Sequence, residues 1–145
     1  MRKMRKIKII VGIIFVLLFI SCDIFAQIPP YAVSGEMVLD NEEYEGEALF
    51  EFDIYNKSDK TIEEFTIVFY LFDEDGNTPL TGRSNIVSKI KATVEPYESF
   101  ESSFSLMKFL TVIPEYPYSV DYLYLSRITY SDGSVWSDPI GMKFF

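Results

Sequence analysis

From residue 47 onward, apolar and polar positions alternate with a period of two in one segment after another. In Glu47–Asn56, Phe50, Phe52 and Ile54 alternate with Glu51, Asp53 and Tyr55, the pattern of a strand with one face inward and one in water. Residues Phe65–Phe72 are apolar or β-branched on both faces, with Phe65, Ile67, Phe69 and Leu71 on one side and Thr66, Val68, Tyr70 and Phe72 on the other. Apolarity on both faces predicts a central strand. Alternation returns at Phe100–Met107, through Phe100, Ser102, Phe104 and Leu106. In Val120–Tyr130 it groups Val120, Tyr122, Tyr124, Ser126, Ile128 and Tyr130 against Asp121, Leu123, Leu125, Arg127 and Thr129. That run is long enough to bend or carry a bulge. Weaker strands are predicted at Val33–Leu39 and Asn85–Val94. No helical spacing of apolar residues is sustained over about eleven positions anywhere beyond residue 26.

Turn chemistry punctuates these runs. Asn56-Lys57-Ser58-Asp59-Lys60 separates two of them, and Asp73-Glu74-Asp75-Gly76-Asn77 closes the next with a glycine able to take positive φ. Asp132-Gly133 between Ile128–Ser131 and Ser134–Ser137 is a strong hairpin signal. Pro139 limits the last strand, since it donates no hydrogen bond to a ladder. About seven strands without a helix predict an all-β fold, an antiparallel immunoglobulin-like β-sandwich over residues 27–145, with a small barrel as the alternative.

The first 26 residues follow another pattern. Arg2, Lys3, Arg5, Lys6 and Lys8 form a basic head, and Ile9–Ile20 is apolar except for Gly12. A basic head, a short apolar run and small residues at Ser21 and Ala26 read as an export signal. The run is short of the roughly 20 residues that a membrane-crossing helix needs. Two cleavage readings compete. Cutting after Ala26 makes residues 1–26 a signal peptide and releases a soluble protein. Alternatively, Phe19-Ile20-Ser21-Cys22 resembles a bacterial lipoprotein box, with Phe19 where Leu is usual; residues 1–21 are then removed and Cys22 is lipidated. Either reading places the protein outside the cytoplasm, periplasmic, secreted or lipid-anchored in the cell envelope.

Removing residues 1–26 changes the charge. The whole chain of 145 residues carries −9, but the leader holds five of the 13 basic residues and one of the 22 acidic ones, so residues 27–145 carry −13. A domain so acidic is no binder of nucleic acid, which demands clustered Lys and Arg. With no His in the chain, His-based triads, dyads and zinc sites are excluded. The single Cys excludes an intrachain disulfide, so Trp136 and the phenylalanines must fill the space between the sheets. Nothing here calls for a catalytic residue, a cofactor or a metal, and the expectation is a protein that is not an enzyme. Asp73, Asp75 and Asn77 offer oxygens at alternate positions before Gly76, as half of a calcium loop would. The distal Glu and flanking helices of an EF-hand are missing. The acidic run Glu36, Asp40, Glu42, Glu43, Glu45, Glu47 and Glu51 is expected to be a solvated loop and strand edge.

Aromatic residues supply the candidate binding groups. Tyr122 and Tyr124 share a predicted strand face with Val120 and Ile128 and are expected in or near the core. Tyr116 and Tyr118, held by Pro114 and Pro117 out of regular pairing, are the candidate partner-binding residues. Phe109–Ile113 just before them is unusually apolar for a connection. The partner expected is a protein or an envelope polymer, with a membrane contacted only through a lipid at Cys22; a loop-based protease inhibitor or a carbohydrate-binding module is the alternative.

Phe69-Tyr70-Leu71-Phe72-Asp73-Glu74-Asp75-Gly76 resembles the Phe-x-Leu-Tyr-Asp-x-x-Gly signature of the FxLYD domains, with Phe72 in place of Tyr. A preceding strand ending in Asn56, and Val94-Glu95-Pro96-Tyr97-Glu98-Ser99-Phe100 at the entry to a later strand, match the layout of that family. The similarity covers Glu45 to Leu106, about half of the exported part. It implies an exported or envelope-attached β-sandwich without established enzymatic activity, and it carries over no catalytic residues. The residues themselves read as a hairpin device, with Asp73 accepting hydrogen bonds from the turn it starts and Gly76 taking the left-handed position.

Overall fold

Seven strands form in the computed structural model, which describes residues 28–40 and 46–143. The chain divides into two units, residues 1–29 and 30–143, and of the first only Ile28 and Pro29 are described. The leader with Cys22, and Glu42, Glu43 and Glu45 of the acidic run, lie outside the described residues.

The strands of the second unit are β1 (Tyr31–Asp40), β2 (Glu47–Asn56), β3 (Ile62–Phe72), β4 (Ile86–Val94), β5 (Ser99–Ser105), β6 (Ser119–Tyr130) and β7 (Val135–Ser137). They build a three-stranded sheet in the order β1-β2-β5 and a four-stranded sheet in the order β4-β3-β6-β7. Every pairing is antiparallel, and no helix occurs among the described residues. The fold is all-β, two antiparallel sheets packed as a sandwich. β2, the centre of the three-stranded sheet, and β3, one of the two inner strands of the four-stranded sheet, are the segments with the clearest apolar pattern.

The alternation sorts side chains as the pattern predicts. Ala48, Phe50, Phe52 and Ile54 of β2 are buried, as are Phe65, Ile67, Phe69 and Leu71 of β3. Phe50 and Phe69 stack between the sheets at 3.9 Å, and Phe104 of β5 tilts against both. Phe100 meets Phe52 and Phe65 further along. Tyr31 closes the core at the far end, where its ring meets the edge of Trp136 at 5.5 Å.

Antiparallel pairing throughout gathers the connections at two ends. The end of β1, the start of β2 and residues 73–85 and 106–118 lie at one end. The start of β1, with residues 57–61, 95–98 and 131–134, lies at the other.

At this second end Asn56 is fully buried. Its Nδ2 donates to the carbonyls of Lys60, Val94 and Glu95 at 2.8, 3.1 and 3.2 Å. Its Oδ1 accepts from the N–H and hydroxyl of Ser58. One side chain thus ties the β2–β3 and β4–β5 turns together.

Several boundaries differ from the pattern, with β1 and β3 starting earlier, at Tyr31 and Ile62. β5 stops at Ser105 rather than Met107: the Leu106 N–H still reaches the Ala48 carbonyl at 2.8 Å, but the Leu106 carbonyl accepts from the Phe109 and Leu110 N–H groups and the chain turns away. β7 follows the pattern, running from Val135 to Ser137 and ending before Pro139.

Candidate functional site

The β5–β6 connection, residues 106–118, is long for a loop between paired strands and has no regular structure of its own. Ordered connections of this length without secondary structure are uncommon. It is nevertheless fastened at several points. Leu106 and Leu110 are buried and joined by a turn in which the Phe109 and Leu110 N–H groups donate to the Leu106 carbonyl. Arg83 from the β3–β4 connection and Lys108 lie over the Phe109 ring, 5.4 and 4.8 Å from its centroid. The Tyr118 N–H points at the sulfur of Met37, 3.3 Å away.

Between these anchors the loop displays apolar side chains to solvent. Val112 is 73% exposed and Tyr116 64%, while Tyr118 is half-buried. Of the two tyrosines singled out by the Pro-braced segment, Tyr116 lies fully on the surface and Tyr118 sits beside the body of the domain. Val112 joins Tyr116 there, and its signal in the sequence was an apolar run placed in a connection.

A second aromatic group stands on the outer face of the four-stranded sheet, and here the period-two reading of β6 is corrected. The register against β3 shifts at Thr66/Ile67 and again at Val68/Tyr70, so β6 carries extra residues that invert its alternation. Val120, Leu125 and Ile128 oppose Leu71, Ile67 and Phe65 and face inward, whereas Tyr124 opposes Val68 on the outer face. Tyr122 sits in the second bulge with φ at 49° and is 51% exposed. Its ring meets that of Tyr70 at 5.5 Å and 73°, and Tyr70 stacks along the strand on Phe72.

Tyr124 is buried although it lies on an outer face, because residues 138–143 fold over it. The Asp138 carboxylate accepts hydrogen bonds from the backbone N–H groups of Met142 and Lys143 at 3.1 and 2.8 Å. This turn lays Gly141 on the Tyr124 ring, where an added Cβ would come within 3.1 Å of the ring carbons. The Tyr124 hydroxyl donates to the Pro139 carbonyl at 3.4 Å, and burial pushes its pKa up. Tyr70 and Ile140 thereby join the group. Their only signal in the sequence was the doubly apolar character of β3, whose outer face needs some cover.

Of the acidic run, Glu36 and Asp40 are exposed on the edge strand β1, as expected, but the charge does not stop at the edge. Glu51 lies on β2, the central strand of its sheet, directly opposite Glu36, and Asp53 opposes Glu101 of β5. With Ser34 and Ser103 they line a broad open depression on the outer face of the three-stranded sheet that contains no Lys or Arg. Among the described residues no group of three or more acidic, His or Cys side chains has an arrangement that could hold a metal ion. At the β3–β4 turn, Asp73 Oδ1 accepts from the N–H groups of Asp75 and Asn77 at 3.0 and 2.8 Å, and Gly76 takes φ 79°. That oxygen serves the turn.

No family model matches the chain, and no curated protein matches it significantly in sequence. Its fold is similar to a solved 1.85 Å crystal structure of a hypothetical protein from Peptoclostridium difficile 630, with a TM-score of 0.57 at 12% identity. The similarity covers 76% of this chain and 87% of that one. At this identity the likeness speaks to the fold alone.

Proposed function

We propose that this chain is an exported, non-enzymatic binding module of the bacterial cell envelope, and that the β5–β6 loop grips a protein or an envelope polymer. The observation that carries the reading is the pairing of firm anchors with exposed apolar side chains in one loop. Leu106, Leu110 and the cation-flanked Phe109 hold the loop, while Val112 and Tyr116 stand in water. Exposed apolar groups on a pre-ordered loop lose little conformational freedom on binding, and Tyr is favoured where binding energy concentrates. The immunoglobulin-like reading of the sandwich is supported by its three-plus-four strand arrangement. The FxLYD resemblance of Phe69–Gly76 supports the same assignment, since Phe69 and Leu71 are fully buried and Asp73 starts the turn. Export rests on the basic and apolar leader.

The test is capture of envelope components on the immobilised domain, comparing the natural sequence with Tyr116→Ser and Val112→Ser. The expected result is a retained component that falls about tenfold with either substitution, while the melting temperature stays unchanged because both side chains are exposed. An unchanged set of captured components would remove the loop from the binding surface. Fatty-acid labelling of cells expressing the natural chain or Cys22→Ala separates an anchored from a released protein.

A further inference from the structure

Tyr70, Tyr122, Tyr124 and Ile140 line an open cavity of about 300 Å³ on the outer face of the four-stranded sheet. We propose that this cavity binds a methylated ammonium group, a trimethylammonium head of the size carried by choline, through cation–π attraction to the Tyr70 and Tyr122 rings, with Tyr124 as its floor.

Three observations support it. The first is geometry: the Tyr70 and Tyr122 rings meet at 73° with centroids 5.5 Å apart, so they form two walls of a corner. Tyr124, nearly buried, is its deepest residue. A cation surrounded by methyl groups is spherical and greasy, and it meets several ring faces at once in such a corner.

The second is charge. No Lys or Arg lines the cavity, and Asp121 stands opposite Tyr70 in the ladder. The negative charge of Asp138 also acts on Tyr124. An anion would find nothing to balance it here. A sugar would find phenol hydroxyls but no carboxylate or amide among the lining side chains to clasp its hydroxyl groups.

The third is the backbone. Tyr122 holds φ at 49°, a left-handed conformation that is costly for a bulky side chain and persists only where the surroundings impose it. The bulge uses that conformation to aim an exposed ring at Tyr70. The covering segment is itself built, through Asp138 and its two backbone hydrogen bonds, and it delivers Ile140 as the aliphatic wall.

This inference is independent of the β5–β6 loop, and its test keeps the two apart. The domain is titrated with choline chloride, with trimethyl-lysine and with 3,3-dimethylbutan-1-ol, the uncharged carbon analogue of choline, following tyrosine ring resonances by NMR. The expected result is saturable binding of a trimethylammonium compound at least about tenfold tighter than of the neutral analogue. The tighter of choline and trimethyl-lysine identifies a free small cation or a modified side chain as the source of the group. Tyr122→Phe should retain binding because the ring face is kept, and Tyr116→Ser should leave it untouched. Tyr122→Ala and Tyr70→Leu should each abolish it with the strand content unchanged by circular dichroism. Equal affinity for the neutral analogue would reduce the site to an apolar cavity and overturn the proposal. So would binding of methyl glucoside in place of choline, or full binding by folded Tyr70→Leu.

Discussion

Asn56 carries more of the fold than any charged residue. Its amide spans five hydrogen bonds between two turns while fully buried, and a buried carbonyl that loses its donor retains the full desolvation cost. Asn56→Ala is expected to destabilise the domain by on the order of 3 kcal/mol, read as a lower urea midpoint. Tyr31 gives a pH signature. Burial pushes its phenol up to about 12 from the usual 10.0, against the opposing effect of its hydrogen bond with Leu125. Its hydroxyl oxygen accepts from the Leu125 N–H at 2.9 Å and donates to the Leu125 carbonyl at 3.4 Å. The folded state therefore holds the phenolic proton more tightly than the unfolded chain does. Stability from this group is fully present below pH 10 and is lost as pH rises from 10 to 12, by on the order of 2 kcal/mol. Tyr124 and Tyr130 are also raised, chiefly by burial, so Tyr31→Phe should flatten the alkaline slope without abolishing it, in urea titrations repeated across that range.

Gly35 in β1 shows how the sheets are fitted. A Cβ at this position would lie 2.5 Å from the Phe50 ring and 2.9 Å from the Glu51 carbonyl oxygen, so the ring of the neighbouring strand fills the space that a side chain would need. Gly35→Ala is expected to cost about 1–3 kcal/mol through overpacking, with an unchanged denaturant slope if the native fold survives. Period-two alternation revealed β2, β3 from Phe65 onward and most of β5, because each keeps a regular register there; the bulge between Ile62 and Glu64 hid the start of β3. The alternation failed in β6, where the bulges at Ser126 and Tyr122–Leu123 flip the side chains beyond them. The length of the run announced a bulge, but nothing in the amino acid order places it, since the registers on both sides of each insertion are equally apolar. The cover over Tyr124 was hidden for another reason. It depends on Asp138 accepting from two backbone N–H groups, and backbone donors leave no pattern in the sequence.

The two outer faces of the molecule are opposite in chemistry. One presents carboxylates facing carboxylates, Glu36 across from Glu51 and Asp53 from Glu101, which repel rather than brace; the other presents the Tyr70–Tyr122 pair together with Lys89, Lys91 and Arg127. Composition announced the acidity and the wealth of aromatics, but only the pairing of strands distributes them to separate faces. The Pro-braced connection was visible because prolines and exposed tyrosines have local signatures, whereas the Tyr70–Tyr122 corner joins residues 52 positions apart. The ten-rung ladder between β1 and β2 begins at Tyr31, at the end of the sandwich opposite the β5–β6 loop. If the chain is held ahead of Tyr31 and its partner pulls on Val112 and Tyr116, tension runs along β1 from one end to the other. The rungs are then sheared together instead of peeled apart in turn. Stretching between residues 31 and 116 in an optical trap should therefore require a higher rupture force than stretching between residues 31 and 57, which are neighbours at one end and open the ladder like a zip.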